Sequence, residues 1–364
     1  MKRLLLLLVL PLLTFAAPDV SPAPTKKRIL HLTFNQGYAN ELHKVAKEMG
    51  YSVTTWHIPS LTSKFLDGTS AGTALFNMTH ERAERIWDRH RDLFESFDLI
   101  CVSDTTPLAR IFLQNHCSKP LLIWICSPVD YYDPQTLDGS FPDHEYFSLL
   151  SAAPRTPNVF VVGASAFALH YAERLGLDLG DTIIPPCAFN TSVRFVRKKE
   201  SLYIPSGHNE TVFMNLKEHL QGLGLPVYSG PHQGPQDLGG YMGIVHLPDS
   251  YGSPALFEHL AYGIVYFIPS PAFFEKLATT HNYFLNQPAT LLEEQLYEAS
   301  EWYKSSRENV FVYFDSWEDL VEKAKNLDYK AQKAKVLSYV SDYQKEVKSR
   351  WQALFNQVFA GAAQ

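Results

Sequence analysis

The residues best placed to do chemistry cluster in one stretch of the second half, IVHLPDSYGSPALFEHLAYGIVYFIPS, residues 244–270. It carries Asp249, Ser250, Tyr251, Gly252 and Ser253 in a turn-rich loop, with Glu258 about one helical turn further on. Ile244-Val245-His246-Leu247 reads as a buried parallel strand stopped by Pro248. Ser253 is a helix cap, and Pro254 fills the first helical position, where a missing N–H costs nothing. Leu256, Phe257, Leu260 and Ala261 make the apolar face of that helix. Gly263 closes it, and Ile264-Val265-Tyr266-Phe267-Ile268 is the next buried strand. In an open parallel sheet, ligands sit at the carboxyl ends of the strands, beside helix N-termini. The loop at 249–253 therefore falls where backbone N–H groups would meet a phosphate. In the first half, Asp104 and Asp130 each follow a strand-like run. Either is a candidate to line the same cleft, and either is equally well explained as a turn or capping residue.

The elements that must position these residues alternate along the whole chain. Arg28-Ile29-Leu30-His31-Leu32-Thr33 is a first strand. Asn35-Gln36-Gly37 belong to a turn in which Gly37 is free to take positive φ, and Asn40 caps a helix over 41–49 closed by Gly50. A second strand over 51–56 completes a βαβ unit, which implies a parallel sheet. A charged helix at about 79–96, strands at 98–103, 120–126 and 158–163, short helices after Pro107 and over 145–151 and 165–175, and a last short strand Thr182-Ile183-Ile184 follow. Pro185-Pro186 marks the domain boundary. The second half repeats the pattern: a strand at 201–204, a helix capped by Asn209 over 210–221, a strand at 225–229, and a loop holding His232. The central stretch comes next, followed by helices over 271–279 and 291–304. A short strand at 311–314 and a long, mostly helical segment from 316 to 359 complete the chain. The expected fold class is α/β, two Rossmann-like domains in tandem.

A chain of 364 residues is too long for one ordinary core and suggests two domains. With 32 basic against 38 acidic side chains, the net charge of −6 argues against a nucleic-acid binder. Lys2-Arg3 precede an apolar run to Ala17 that is too short to span a bilayer comfortably. It reads as a secretory signal peptide or, second, a short anchor. Pro18, Pro22 and Pro24 mark a disordered stem over 18–26. The four cysteines show no CxxC spacing, so a metal knuckle is not expected and buried free thiols are. Asn77, Asn190 and Asn209 head N-x-[ST] sequons that matter only if the host glycosylates exported proteins. The expected location is the secretory pathway, as an exported protein or one of the endoplasmic reticulum, Golgi lumen or periplasm.

The order of these signals resembles a GT-B glycosyltransferase, nearest to the retaining family 4 type. Leu32 to Trp56 resembles that family's opening strand, glycine turn, helix and second strand. Ile183-Ile184-Pro185-Pro186-Cys187-Ala188-Phe189-Asn190 is similar to its interdomain crossing. Leu247-Pro248, Asp249-Ser250-Tyr251-Gly252 and Glu258-His259-Leu260-Ala261-Tyr262-Gly263 resemble its donor-binding signature, in that order. The likeness implies a GT-B-like pair of Rossmann-like domains, an acceptor-side one at 27–185 and a nucleotide-sugar-binding one at 186–330. It also implies a C-terminal helix at 331–364 crossing back to the first domain.

The resemblance also implies roles. Glu258 would accept both ribose hydroxyls of a nucleotide sugar, and Ser250, Tyr251, Gly252 and Ser253 would face the donor's phosphates. Asn35, Gln36 and Gly37 would form the acceptor-side loop. The family's Arg and Lys after the first strand of the second domain are missing here. Arg194, Arg197, Lys198, Lys199 and His208 are the candidate replacements for charge near the departing pyrophosphate, and His232 is a further donor-side candidate. Ser250 stands where the family has the first of its paired glutamates, and Asp249, one residue earlier, is the candidate to contact the sugar. Asp249, Asp104 and Asp130 are thus the catalytic candidates. No metal or cofactor is expected, since residues 131–133 form no Asp-x-Asp pattern. The partners would be a nucleotide sugar and a glycan, protein or lipid acceptor, with membrane contact only through an uncleaved N-terminal segment. The rival readings are an exported two-domain solute-binding protein and a GT-B relative that has lost catalysis.

Overall fold

The computed structural model describes residues 26–69, 78–130, 143–187, 198–208, 214–248, 250–280 and 299–361. Residues 1–25, which hold the expected signal segment and all but the last residue of the expected stem, lie outside these, as do all three sequon asparagines, Asp249, Arg194 and Arg197. Two five-stranded parallel sheets organise the chain. The first comprises β1 (Arg28–Thr33), β2 (Ser52–His57), β3 (Leu99–Asp104), β4 (Leu121–Ile125) and β5 (Val159–Gly163), in the order β2-β1-β3-β4-β5. The second comprises β6 (Leu202–Ile204), β7 (Val227–Ser229), β8 (Ile244–Val245), β9 (Tyr266–Pro269) and β10 (Val312–Phe314), in the order β10-β9-β8-β6-β7. Read from the other edge, that is the same doubly wound order. Each sheet reverses direction beside its first strand, between β1 and β3 and between β6 and β8, the points where crevices open at carboxyl ends.

Burial on both faces explains why the central strands β1, β3 and β4 are apolar runs rather than alternating ones, while the edge strand β2 is partly exposed and more polar. On one face of the first sheet, Leu30, Leu32, Ile100, Val102 and Ile123 pack with Trp87 and Phe94 of the helix His80–Glu95. On the other, Ile29, Cys101, Leu122 and Trp124 pack with Leu42 and Val45 of the helix Gln36–Glu48 and with the C-terminal helix. That C-terminal helix, Tyr329–Gly361, has 33 residues and so runs about 50 Å. Val336 and Val340 sit in the core of the second sheet, while Val347, Trp351, Phe355 and Val358 sit in that of the first. The Trp351 ring meets Trp124 edge-on at 5.0 Å, and Arg350 donates to the Ile183 carbonyl at 2.9 Å. Two Rossmann-like domains with a final helix crossing back are therefore present as expected. Among the described residues no helix is long and apolar enough to cross a membrane.

Several local expectations are corrected. The first helix starts at Gln36, with Asn35 as its cap, accepting from the Gly37 N–H at 2.7 Å. Asn40 and Gly37 thus lie inside the helix, and Gly37 does not take positive φ. Asn35 wins because the chain leaves β1 with only Phe34 before it, so the earlier Asx residue reaches the free N–H groups first. In the second half the described helix is Leu216–Gly222, capped by Asn215 rather than by Asn209. Residues 299–304 form turns instead of the end of a helix. Thr182-Ile183-Ile184 makes a single bridge, Gly163 to Ile183, rather than a strand. All four cysteines are free and buried.

Candidate functional site

The two crevices face each other across the domain boundary. On the second-domain side, β8 leads through His246-Leu247-Pro248 into residues 250–253 and then the helix Pro254–Ala261. Ser253 caps this helix, its Oγ accepting from the Ala255 N–H at 3.2 Å, with Pro254 at the first position. Gly263 ends the segment with φ +68°, the left-handed turn that glycine makes without strain. The loop is braced from behind. Trp302 Nε1 donates to the Ser250 carbonyl at 2.6 Å. The Glu301 N–H donates to the Tyr251 carbonyl at 2.7 Å. Gly252 has no room for a side chain, since a Cβ there would stand 2.7 Å from Glu301 Cγ. The Trp302 ring in turn lies 4.0 Å from the His246 ring.

On the first-domain side, β3 ends at Asp104, which has φ +71°. Aspartate tolerates that region better than most residues, but the conformation still costs roughly 1–3 kcal/mol and persists only where the surroundings impose it. Asp104 is 8% exposed and accepts from Ser127 Oγ at 2.8 Å. Burial pushes its carboxyl above the usual range, partly offset by the Ser127 hydrogen bond. One residue before Ser127, the Cys126 carbonyl accepts from Tyr251 Oη at 2.6 Å and from Tyr38 Oη at 3.5 Å. The Tyr251 ring stacks on Phe167 of the helix Ala166–Arg174, centroids 4.2 Å apart and planes at 15°. Phe167 is followed by Tyr171, whose hydroxyl donates to Asp130 Oδ2 at 2.9 Å. The structure thus brings Asp104, Tyr38, Cys126 and Tyr251 together, with Asp130 at the far end of a row of rings.

The N-terminus of the first helix closes on the same place. A Cβ on Gly37 would lie 3.0 Å from Pro254 Cβ, so the glycine is required by close approach between domains rather than by backbone conformation. Behind it, Glu41 is buried and accepts from the Cys187 N–H at 2.7 Å. Burial holds its carboxyl well above the usual range, and Glu258 pushes the same way while Lys44 opposes. Glu258 is half-buried, its carboxyl raised by burial and lowered by Lys44. It therefore borders Glu41 and Lys44 of the first domain, one helical turn from the capped end.

The remaining candidates are spread wider. Lys199 pairs with Asp237 at 2.7 Å and lies 3.8 Å over the Tyr241 ring, so its charge is already balanced. His232 Nδ1 accepts from the Gly234 N–H at 3.0 Å and its ring meets Tyr203 edge-on at 5.5 Å. His208 ends the turn Ser206–His208 just after β6. Ser250 Oγ donates to the Gly252 carbonyl at 3.1 Å. Among the described residues no group of three or more His, Cys, Asp or Glu side chains is placed to hold a metal ion.

Three features escaped sequence reasoning. His259, beside Glu258, bonds Tyr266 Oη through Nδ1 at 2.5 Å and is kept neutral by burial, which lowers it to about 4 with a smaller push from His232. His31 begins a buried polar chain. Its Nε2 is 2.8 Å from Ser103 Oγ, which donates to Thr33 Oγ1 at 2.9 Å, which accepts from the Asn35 N–H at 3.3 Å. This direction assigns the proton to Nε2, and burial lowers His31 to about 3. The third is Arg307, fully buried against Glu301, Tyr339 and Tyr343 where the C-terminal helix passes between domains. Only the His–x–Ser/Thr alternation on strand ends was visible in sequence, and it does not announce a chain.

No family model matches the sequence, and no curated protein matches it. Solved structures do. The glycosyltransferase SnogD from Streptomyces nogalater is 10% identical over 91% of this chain and 99% of its own, with a TM-score of 0.45. A β-glucosyltransferase of T4 phage is 11% identical over 91% and 99%, with a TM-score of 0.44. The calicheamicin glycosyltransferase CalG4 is 12% identical over 90% and 98%, with a TM-score of 0.37.

Proposed function

We propose that the protein is a glycosyltransferase that takes a nucleotide sugar in the crevice of its second domain and an acceptor hydroxyl against its first. The observation that carries this reading is the seating of residues 250–253. They lie between the carboxyl end of β8 and the capped Pro254 helix N-terminus, and they meet the first domain at the Cys126 carbonyl beside Asp104. A pyrophosphate there would be met by backbone N–H groups and the positive end of the helix dipole, without requiring a metal. Glu258 is the group for the ribose hydroxyls, and Asp249 stands next to the loop in sequence. The acceptor is a glycan, a protein or a lipid, and the setting is the secretory route.

The motif likeness favours retention of anomeric configuration. Asp104 favours a second reading, inversion. A carboxyl held above its usual range, bonded to the residue after the Cys126 carbonyl that Tyr251 reaches, suits removal of the acceptor proton. The anomeric configuration of the product, read by proton NMR, separates the two.

The first test is a thermal-shift panel on the chain without residues 1–17, against UDP, GDP, CMP and their sugar conjugates. A ligand at about a hundred times its dissociation constant stabilises by roughly 2.7 kcal/mol. A shift with one nucleotide and its sugar is expected. Glu258→Gln should weaken that binding about 10- to 100-fold, the value of a hydrogen-bonded charge. No shift with any nucleotide, alongside a shift with free sugars, would replace this reading with a solute-binding protein.

A further inference from the structure

The geometry points to Tyr251 as a positioning residue, an interdomain clasp that registers residues 250–253 against the carboxyl end of β4 in the first sheet, rather than a group that touches the donor. Both ends of its side chain are committed to the first domain. The hydroxyl donates to the Cys126 carbonyl at 2.6 Å, and the ring lies flat on Phe167, 4.2 Å between centroids. Tyr251 is 6% exposed and Phe167 1%, so neither offers a face to a ligand. From its own domain, the Tyr251 carbonyl is held by the Glu301 N–H at 2.7 Å. The loop is thus pinned from both domains at one residue.

The far end of the clasp matters most. Cys126 is followed directly by Ser127, whose hydroxyl holds Asp104 at 2.8 Å. The residue that locates the donor loop therefore bears on the backbone that presents the Asp104 carboxyl. Tyr38, reaching the same carbonyl at 3.5 Å from the first helix, ties in the element that carries Gly37 and its contact to Pro254. Domain closure, loop placement and the Asp104 carboxyl are coupled through one carbonyl oxygen. The catalytic consequence rests on the transferase reading, whereas the contact itself does not.

Hydrogen–deuterium exchange on the full chain tests the clasp, using Tyr251→Phe, which keeps the ring and removes the hydrogen bond, and Tyr251→Ala, which removes both. Exchange in residues 250–253 and 126–130 should quicken at least tenfold in the alanine variant and measurably in the phenylalanine variant. Affinity for whichever of UDP, GDP or CMP shifts the wild type should stay within about twofold in Tyr251→Phe. In the same variant, kcat for consumption of the matching nucleotide sugar should fall at least tenfold with little change in KM. Unchanged exchange in both variants would overturn the clasp. A tenfold loss of nucleotide affinity with unchanged exchange would place Tyr251 on the donor instead. Faster exchange with unchanged kcat would overturn the positioning role. If the wild type binds no nucleotide, the transferase reading fails, and the exchange measurement still decides the clasp.

Discussion

Arg307→Met should be among the most damaging substitutions far from any candidate reacting atom. Arg307 is 1% exposed. Its Nη2 meets Glu301 Oε2 at 2.5 Å, its Nη1 donates to the Glu301 carbonyl at 2.8 Å, and its Nε donates to Tyr339 Oη at 2.8 Å. The guanidinium also lies 5.1 Å from the centre of the Phe257 ring and 5.5 Å from that of Tyr343. Methionine restores much of the stem's packing but leaves Glu301, whose side chain is 3% exposed, with Lys304 as its remaining charge partner at 2.6 Å. Breaking one side of a buried pair costs roughly 3–5 kcal/mol because a charge is left in low dielectric. At about 2–4 °C per kcal/mol for a domain of this size, the melting transition of the second domain should fall by roughly 6–20 °C. Adding Glu301→Met should recover most of that loss, since replacing both charges by apolar groups is often neutral. Methionine is chosen at 301 because an unbranched Cγ is what Gly252 accommodates. Differential scanning calorimetry with urea titration is the assay. A single variant within about 1 kcal/mol of wild type, the range of ordinary surface changes, would refute the reasoning. So would a double variant no more stable than the single.

Three further outcomes are expected. Gly37→Ala sets a gain of about 1 kcal/mol in helix propensity against contacts of 2.9 Å to Asn35 Oδ1 and 3.0 Å to Pro254 Cβ. Overpacking costs about 1–3 kcal/mol, so the variant should melt lower and scatter X-rays with a larger radius of gyration. A higher melting point with an unchanged radius would contradict it. His31 is lowered from 6.5 to about 3 by burial, so between those values the unfolded chain holds the extra proton. Stability should therefore drop by about 1.4 kcal/mol per pH unit as pH falls through that window. Glu41, Glu258 and Asp104 are raised and act with the opposite sign, so the measurement is the difference from His31→Gln. Equal slopes of denaturation free energy against pH would remove His31 from the account. Asp104→Asn keeps a residue that tolerates φ +71°. Under the base reading it should cut turnover by about 10²–10⁴ and abolish the rising acid limb of the pH–rate profile, with nucleotide binding unchanged. Turnover within threefold would dismiss the base.

The alternation of strands and helices was legible because the central strands β1, β3 and β4 are buried on both faces and so read as compact apolar runs. Ser253 and Pro254 were legible for a different reason, since capping is a local matter between residues two or three apart. Asn35 shows where local reasoning slips. Asn35 and Asn40 both suit a cap, and the choice depends on where β1 releases the chain. Gly37 shows a deeper gap. A glycine in a turn suggests positive φ, while its actual constraint is Pro254, more than two hundred residues away in the other domain. The partners of Tyr251, Phe167 and Cys126, and of Arg307, Glu301 and Tyr339, are likewise set by how two finished sheets meet. No periodicity or spacing in either half encodes that.

Two sets of contacts, one within the second domain and one between domains, act on one loop from opposite sides. Glu301 and Trp302 hold the backbone of Ser250 and Tyr251 from within the second domain. Glu301 is itself held by Arg307, which is bonded to Tyr339 on the helix that crosses to the first domain. Tyr251 reaches directly to Cys126 and Phe167. The loop is therefore in one defined place only when the domains are closed and the crossing helix is seated in both cores. The positive φ of Asp104 is held at the same place, since Ser127 bonds its carboxyl one residue beyond the carbonyl that Tyr251 reaches.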